Sequence, residues 1–387
     1  MIPGATPGVL TSRAETTVAG AYGRFSEPRV AIVHYWLVSM RGGERVLERL
    51  LGLFPGADVF THVYDESRMS ERIRQAKVTT TWINGLPFSR KFYQYYLPFM
   101  PMALEQLDLS EYDLVISSES GPAKGIIASP HAQHMCYCHS PMRYLWDHYH
   151  LYRKDANPIA RAAMPLIYHR MRQWDLASSA RVDNIAANST FIRDRVRKYW
   201  RREAEVIHPP VDTRIFTPSL EVDDHYLWVG QMVPYKRPDL AVEAFNRTGL
   251  PLLMVGEGGM LAKLKRIAGP NIRFVSRLGF NELRQAYARA RALVFTAEED
   301  FGIVPVEAMA SGRPVLAYGR GGVLDSVVPG ETGLFFERQT ADSLVDGIER
   351  FERWLPEFDP RRSVAQSNLF APEHFDRKIL AAVGHSS

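Results

Sequence analysis

The chain has 387 residues, of which 46% are hydrophobic and 23% charged, with a formal net charge of +4. That length suits two α/β domains better than one core, and so balanced a charge excludes a strongly basic nucleic-acid surface. No run of 18 apolar residues is present to span a membrane, and Cys136 and Cys138 are too close for an unstrained bridge, which fits a reducing compartment and leaves no second cysteine pair for a metal.

Residues 1–27 are rich in Gly, Ala, Thr, Pro and Ser and lack an apolar leader core, so they are expected to form a disordered extension. The first strand is expected at 29–35, followed by a glycine turn ending in Gly42 and Gly43. A helix at 44–54 then lines up Val46, Leu47, Leu50, Leu51 and Phe54. This is a β–loop–α unit at the front of a parallel sheet. Further strands are expected at 57–62, 113–118, 125–128, 133–137 and 184–187, and helices at 158–179 and 190–200. The segment 89–102 mixes Arg90 and Lys91 with aromatic and apolar residues, which suits an interfacial segment as well as a packed helix. His139 stands at a strand end in His139-Ser140-Pro141, while His148 and His150 are poorly spaced to join it around zinc.

Residues 206–212 read as a linker strand. Beyond them strands are expected at 226–229, 252–255, 272–274, 292–295 and 314–318, and helices at 236–248, 260–268, 282–290, 304–310 and 340–353. An irregular Pro-containing stretch leads to a short helix within 371–387. The alternation gives an α/β fold of two doubly wound, Rossmann-like domains, with ligands at the strand C-termini in the crevice between them.

Two stretches of the second half bring polar groups to helix starts. After the 226–229 strand come Gly230, Lys236 and Arg237, placed to meet a diphosphate. After the 292–295 strand comes Glu299-Asp300-Phe301-Gly302-Ile303-Val304, then Glu307 one turn into a helix. Free amides at a helix start attract phosphate, and carboxylates beside it suit a neutral partner rich in hydroxyls. A sugar nucleotide offers both. The run Val255-Gly256-Glu257-Gly258-Gly259 is only a weak dinucleotide signal, because Leu261 stands at its third glycine position.

The acidic stretch resembles the signature of retaining glycosyltransferases with the GT-B fold, family 4: two glutamates with seven residues between them and Phe-Gly soon after the first. The resemblance covers roughly residues 28–385. It implies an acceptor domain at 28–210, a donor domain at 211–370, and a last helix at 371–387 crossing back to the first domain, the two domains facing a central cleft. It also implies that Glu299 holds the donor sugar's hydroxyls and Glu307 the ribose. Lys236, Arg237 and the Gly302–Ile303 amides would take the leaving diphosphate, with Gly42, Gly43, Gly230, Phe301 and Val304 lining the donor. His139 would contact the sugar, so the expected catalytic set is His139, Glu299 and Lys236. Gln231 stands where the family carries an arginine, leaving Arg237 to supply that charge. The stretches His34-Tyr35-Trp36, Gly42-Gly43-Glu44 and His139-Ser140-Pro141 are similar to bacterial mannosyltransferases of exopolysaccharide and O-antigen synthesis. That likeness implies GDP-mannose as donor, a lipid-linked or oligosaccharide acceptor, and a cytoplasmic enzyme touching the inner face of the plasma membrane. No metal, cofactor or nucleic acid is expected. The rival donors are UDP-glucose, UDP-GlcNAc and a dTDP-sugar. Glycoside hydrolysis and non-catalytic binding of a sugar nucleotide are rivals of a different kind.

Overall fold

The structure is a computed structural model that describes residues 28–384. The expected extension at 1–27 and the last three residues lie outside the described residues. Seven parallel strands form the first sheet, in the order β3-β2-β1-β4-β5-β6-β7. They are β1 Val30–His34, β2 Asp58–Thr61, β3 Val78–Thr80, β4 Leu114–Glu119, β5 Gln133–Cys138, β6 Asn184–Ala187 and β7 Glu205–Val206. The second sheet runs β10-β9-β8-β11-β12-β13. Its strands are β8 Tyr226–Val229, β9 Leu252–Val255, β10 Ile272–Val275, β11 Ala292–Phe295, β12 Val315–Tyr318 and β13 Gly333–Phe336. Central strands such as β1, β4, β9 and β11 are buried at every residue, as parallel strands covered by helices on both faces must be.

Strand order reverses at β1 in one sheet and at β8 in the other, which opens a crevice at the carboxyl ends of β1/β4 and β8/β11. Those ends carry His34, Ser118, Val229 and Phe295, so the topology gathers the first glycine turn, the Gly230 turn and the acidic loop at one place.

The chain passes between the sheets twice. After β7 it runs through Ile207 to Val211, and it returns through Phe370 into the helix Pro372–Gly384. The two passages touch, with Val211 N–H donating to Phe370 C=O at 2.9 Å. Phe375, Ile379 and Val383 of the returning helix sit in the core of the first sheet.

Several elements differ from the sequence reading. Residues 125–128 are a loop rather than a strand, because the Glu119 carboxylate accepts the amides of Ala123 and Lys124 and holds the chain in a turn. Of the expected linker strand 206–212, only Val206 is in a strand, as the end of β7. The expected 236–248 helix begins at Pro238, because Arg237 is left-handed with φ 53° and interrupts it. Short strands β3 and β13 lack a clear alternating pattern and escape the reading, and the irregular stretch before 371 contains the helix Pro360–Asn368. The segment 89–102 is helical and two-sided. Tyr93, Leu97 and Met100 are buried, while Tyr95, Phe99 and Met102 stay at least half exposed.

Three imidazoles are held neutral by burial. His62 and His134 are pushed down to about 4. His139 is pushed down to about 3, by burial and then by neighbouring His34. An unfolded histidine titrates near 6.5, so these groups favour the fold fully above that pH, and their contribution is lost as pH falls through the folded values. Between pH 6 and 4.5 each adds a slope of about 1.4 kcal/mol per pH unit. Urea midpoints measured from pH 7.5 to 4.5 are expected to fall steeply below 6.5, and His62→Gln to remove one histidine's share of that slope.

Candidate active site

The site is built from two helix starts that face each other. In the first domain the helix Gly42–Leu53 begins straight after the β1 turn. In the second, the helix Ile303–Ala310 begins at Gly302, whose φ of 88° is open to glycine at little cost. A methyl group placed on Gly42 would lie 3.5 Å from Ile303 Cδ1, so the two starts meet across the crevice. The first turn of each helix leaves amides without an intrahelical partner, among them those of Gly43, Ile303 and Val304, and the Gly42–Ile303 approach sets the two starts side by side.

The acidic loop joins β11 to that second helix. Glu299 pairs with Lys236, Oε1 to Nζ at 2.8 Å, with both side chains less than one-fifth exposed. Burial lowers the lysine's proton affinity, but Glu299 more than offsets this, so the ammonium is held above its ordinary value. Glu307 accepts a 2.8 Å hydrogen bond from the Tyr287 hydroxyl, and burial pushes its carboxyl up despite that bond and the nearby Arg45. The backbone of the loop is clamped from below. Gly322 N–H donates to Glu299 C=O at 2.9 Å, and a side chain at Gly322 would collide with the Asp300 backbone carbonyl. This close packing accounts for Gly321-Gly322, which in the sequence is a plain loop.

Not every expected residue faces the cleft. Phe301 is 3% exposed and its ring packs with His208 and Phe370, so only its backbone borders the loop. Arg237 directs its guanidinium at Asp239, at 3.2 Å, and at the Gln339 carbonyl, also 3.2 Å. It is not positioned beside Lys236 as a substitute for the missing arginine at Gln231. Gly230 does lie against the Lys236 side chain.

Cationic groups that sequence reasoning did not assign come instead from the first domain. Arg143, four residues after His139, donates to Asp300 Oδ1 at 2.6 Å across the crevice. Arg195, nearly buried, reaches Asp300 at 3.4 Å, Asp147 at 2.7 Å and Ser140 Oγ at 2.7 Å. His139 is partly exposed, and its Nε2 lies 2.8 Å from Ser118 Oγ. Beside Ser140, Arg143 and Asp300 a cavity of about 270 Å³ opens between Trp36, Tyr144 and Tyr152. The Tyr144 hydroxyl is buried there without a partner. Among the described residues no three His, Cys, Asp or Glu side chains cluster as a metal site would require.

The site can hold an anion between two helix starts, and it sets a carboxylate and an ammonium beside that anion for a polar, uncharged group. Comparisons with known proteins agree with that chemistry. A model described as Glycosyltransferase Family 4 matches residues 40–215, and one described as Glycosyl transferases group 1 matches residues 216–355. The chain is 28% identical over 172 residues to an uncharacterized glycosyltransferase of Methanocaldococcus jannaschii, covering 43% of this chain and 48% of that protein. It is 27% identical over 238 residues to the GDP-Man:Man(3)GlcNAc(2)-PP-Dol alpha-1,2-mannosyltransferase of Xenopus laevis, covering 52% and 48%. It is 30% identical over 167 residues to the D-inositol 3-phosphate glycosyltransferase of Mycobacteroides abscessus, covering 37% and 38%. The chain thus spans about half the length, or less, of these curated relatives. Among solved structures, the Anabaena HepE protein in complex with UDP and glucose superposes with a TM-score of 0.67 at 15% identity, over 92% of this chain and 100% of that one. Sucrose-phosphate synthase from Thermosynechococcus elongatus gives 0.66 at 19% identity, over 91% and 97%. The shared architecture is GT-B.

Proposed function

We infer that this chain is a GT-B glycosyltransferase of family 4, and we propose that it moves a hexose, mannose from GDP-mannose in the first instance, to a lipid-linked or oligosaccharide acceptor. The observation that carries the reading is the Lys236–Glu299 pair, set where two helix starts converge. A nucleotide diphosphate between those starts meets aligned amides from both domains, and Lys236 turns from Glu299 to the phosphate as the donor enters. Glu299 is then free to accept hydrogen bonds from sugar hydroxyls, and Glu307 from the ribose. Transfer breaks the bond between the anomeric carbon and the phosphate oxygen and forms one to an acceptor hydroxyl. The acceptor's proton leaves on the phosphate, the product has the configuration of the donor, and no metal takes part. Lys236 and the amides stabilise the charge that develops on the departing diphosphate.

The acceptor's place is the aromatic cavity beside Arg143, open to the same cleft. Its far walls are formed by the 89–105 segment and the helix Pro158–Ser179. Nearby, Phe88 is 77% exposed, Tyr95 70% and Ile159 85%, with Arg90 and Lys91 on the surface beside the first two. Aromatic rings at headgroup depth with cations on anionic lipid support a peripheral membrane contact at this face. Each basic residue near such a surface contributes about 1 kcal/mol, so Arg90→Ser with Lys91→Ser is expected to weaken sedimentation with phosphatidylglycerol vesicles by roughly 30-fold. No change would leave the acceptor to be taken from solution. Among the described residues no helix is long and apolar enough to cross a membrane.

GDP-mannose is favoured by the likeness to mannosyltransferases, and UDP-glucose is the main rival because a structural neighbour holds UDP and glucose. The test is nucleotide release by the purified protein across GDP-, UDP- and dTDP-sugars, with and without a bacterial lipid extract. Release from GDP-mannose, raised by lipid, supports the reading. Release from UDP-glucose alone replaces the donor. Thermal stabilisation by nucleotide without release from any sugar would leave a non-catalytic binder.

A further inference from the structure

Glu44, His34, Ser118 and His139 stand in a line through the first domain, each from a different element. Glu44 is on the first helix, His34 ends β1, Ser118 is near the end of β4, and His139 follows β5. Glu44, His34 and Ser118 are at most 2% exposed. Ser118 Oγ lies 2.9 Å from His34 Nδ1 and 2.8 Å from His139 Nε2. His34 Nε2 has no hydrogen-bond partner, and Glu44 Oε1 faces it at 3.9 Å. The other oxygen of Glu44 accepts the Arg41 amide at 2.9 Å, which fixes the carboxylate in place.

A serine hydroxyl has one proton to give. Ser118 therefore donates to one imidazole and accepts from the other, and only two neutral arrangements satisfy both contacts. In one, His34 carries its proton on Nε2, toward Glu44, and takes the Ser118 proton at Nδ1. His139 then donates from Nε2 and keeps a lone pair on Nδ1. In the other, every proton is reversed, and the bare lone pair of His34 Nε2 faces a carboxylate oxygen inside the core. The second sets two electron-rich atoms against each other where no solvent relieves them. The Arg41 amide donates to Glu44 and favours its carboxylate form.

We propose that Glu44, acting through His34 and Ser118, fixes His139 as the Nε2-protonated tautomer and so presents its Nδ1 lone pair to a hydroxyl of the bound sugar. Glu44, His34 and Ser118 are positioning residues; of the four, only His139 is partly exposed. His139 is also flanked edge-on by Tyr137 and Tyr35, with ring centroids at 5.1 and 6.3 Å. The sugar hydroxyl rests on the transferase reading above, whereas the tautomer is a property of the protein alone.

The test is a long-range ¹H–¹⁵N spectrum of histidine-labelled full-length protein, with His139 assigned by His139→Gln. The wild type is expected to show a protonated Nε2 and a bare Nδ1 at His139. In Glu44→Gln, which keeps an acceptor for the Arg41 amide, and in the milder Ser118→Ala, the two nitrogen shifts are expected to converge as the tautomers mix. Donor turnover in Glu44→Gln is expected to fall about 10–100-fold in kcat, the usual range for an outer partner of a functional histidine, with the donor KM little changed. A wild-type His139 protonated on Nδ1, or shifts unmoved in both variants, would overturn the proposal even if sugar is transferred. Converging shifts in a protein that turns over no donor would uphold it and overturn the transferase reading instead.

Discussion

Lys124→Met is expected to destabilise the first domain by about 3–5 kcal/mol, the cost of stranding buried charge. The Lys124 ammonium is fully buried and lies 3.3 Å from Glu119 Oε1 and in direct contact with Asp175 Oδ1. Both acids are also inaccessible to water. Each is held on its other oxygen, Glu119 by the amides of Ala123 and Lys124 and Asp175 by the indole N–H groups of Trp146 and Trp200, both at 2.8 Å. With the cation gone, two carboxylates remain in the core with nothing to balance them, and protonating one of them is the least costly escape. Burial already pushes Glu119 up with Lys124 present. Urea unfolding monitored by tryptophan fluorescence should show the loss at pH 8, and the loss should shrink as pH falls toward the carboxylate range. The triple change Lys124→Met, Glu119→Gln and Asp175→Asn is expected to recover much of it. A single variant as stable as the wild type at pH 8 would mean that the attraction of the ammonium for the two acids does not exceed the cost of burying it. The damage also reaches the cleft, because Glu119 C=O accepts the His139 amide at 2.8 Å.

Lys236→Met is expected to lower kcat for donor turnover by about 10²–10³-fold, the range for losing one preorganised donor to a developing oxyanion. Among the described residues the lysine is the one cationic side chain paired with Glu299, and Arg237 is turned away toward Asp239. The variant also frees Glu299 to face the phosphate as an unpaired anion, so donor binding should weaken as well. Lys236→Arg keeps the charge but changes its shape, and should retain part of the rate. Single-turnover measurements with saturating donor separate the two effects. An unchanged kcat would assign the leaving-group charge to the first-domain arginines, Arg143 above all.

The sheet strands were legible because parallel strands with helices on both faces read as short apolar runs, and β8, β9 and β11 fall where such runs place them. The acidic loop was legible because its glutamates, its glycine and its helix lie within one short stretch of chain. Two short strands, β3 and β13, were not, since neither carries a distinctive pattern. The pairing of Arg143 with Asp300 was also hidden, because 157 residues separate partners that only the facing of two domains brings together. Gly256 and Gly258 invited a nucleotide reading, yet a side chain at either would strike the backbone of Gly230 or Met232. Their packing against that turn explains them without a ligand. Arg237 looked like a phosphate ligand by position, and its left-handed backbone, invisible to periodicity, sets its side chain on another course.

The adjacency of the two chain passages, joined at Val211 and Phe370, bears on the balance of open and closed forms. With both connections leaving from one point, the halves remain at high effective concentration for each other, and the cleft re-forms without a search. The tie between Arg143 and Asp300 is partly exposed and contributes on the order of 1 kcal/mol, a factor of about five in population. That tie is one of several across the crevice, with Arg195 on Asp300 and the Thr190 amide on Asp325, so a bound donor that touches both helix starts shifts the balance only by the difference in its affinity for the two forms.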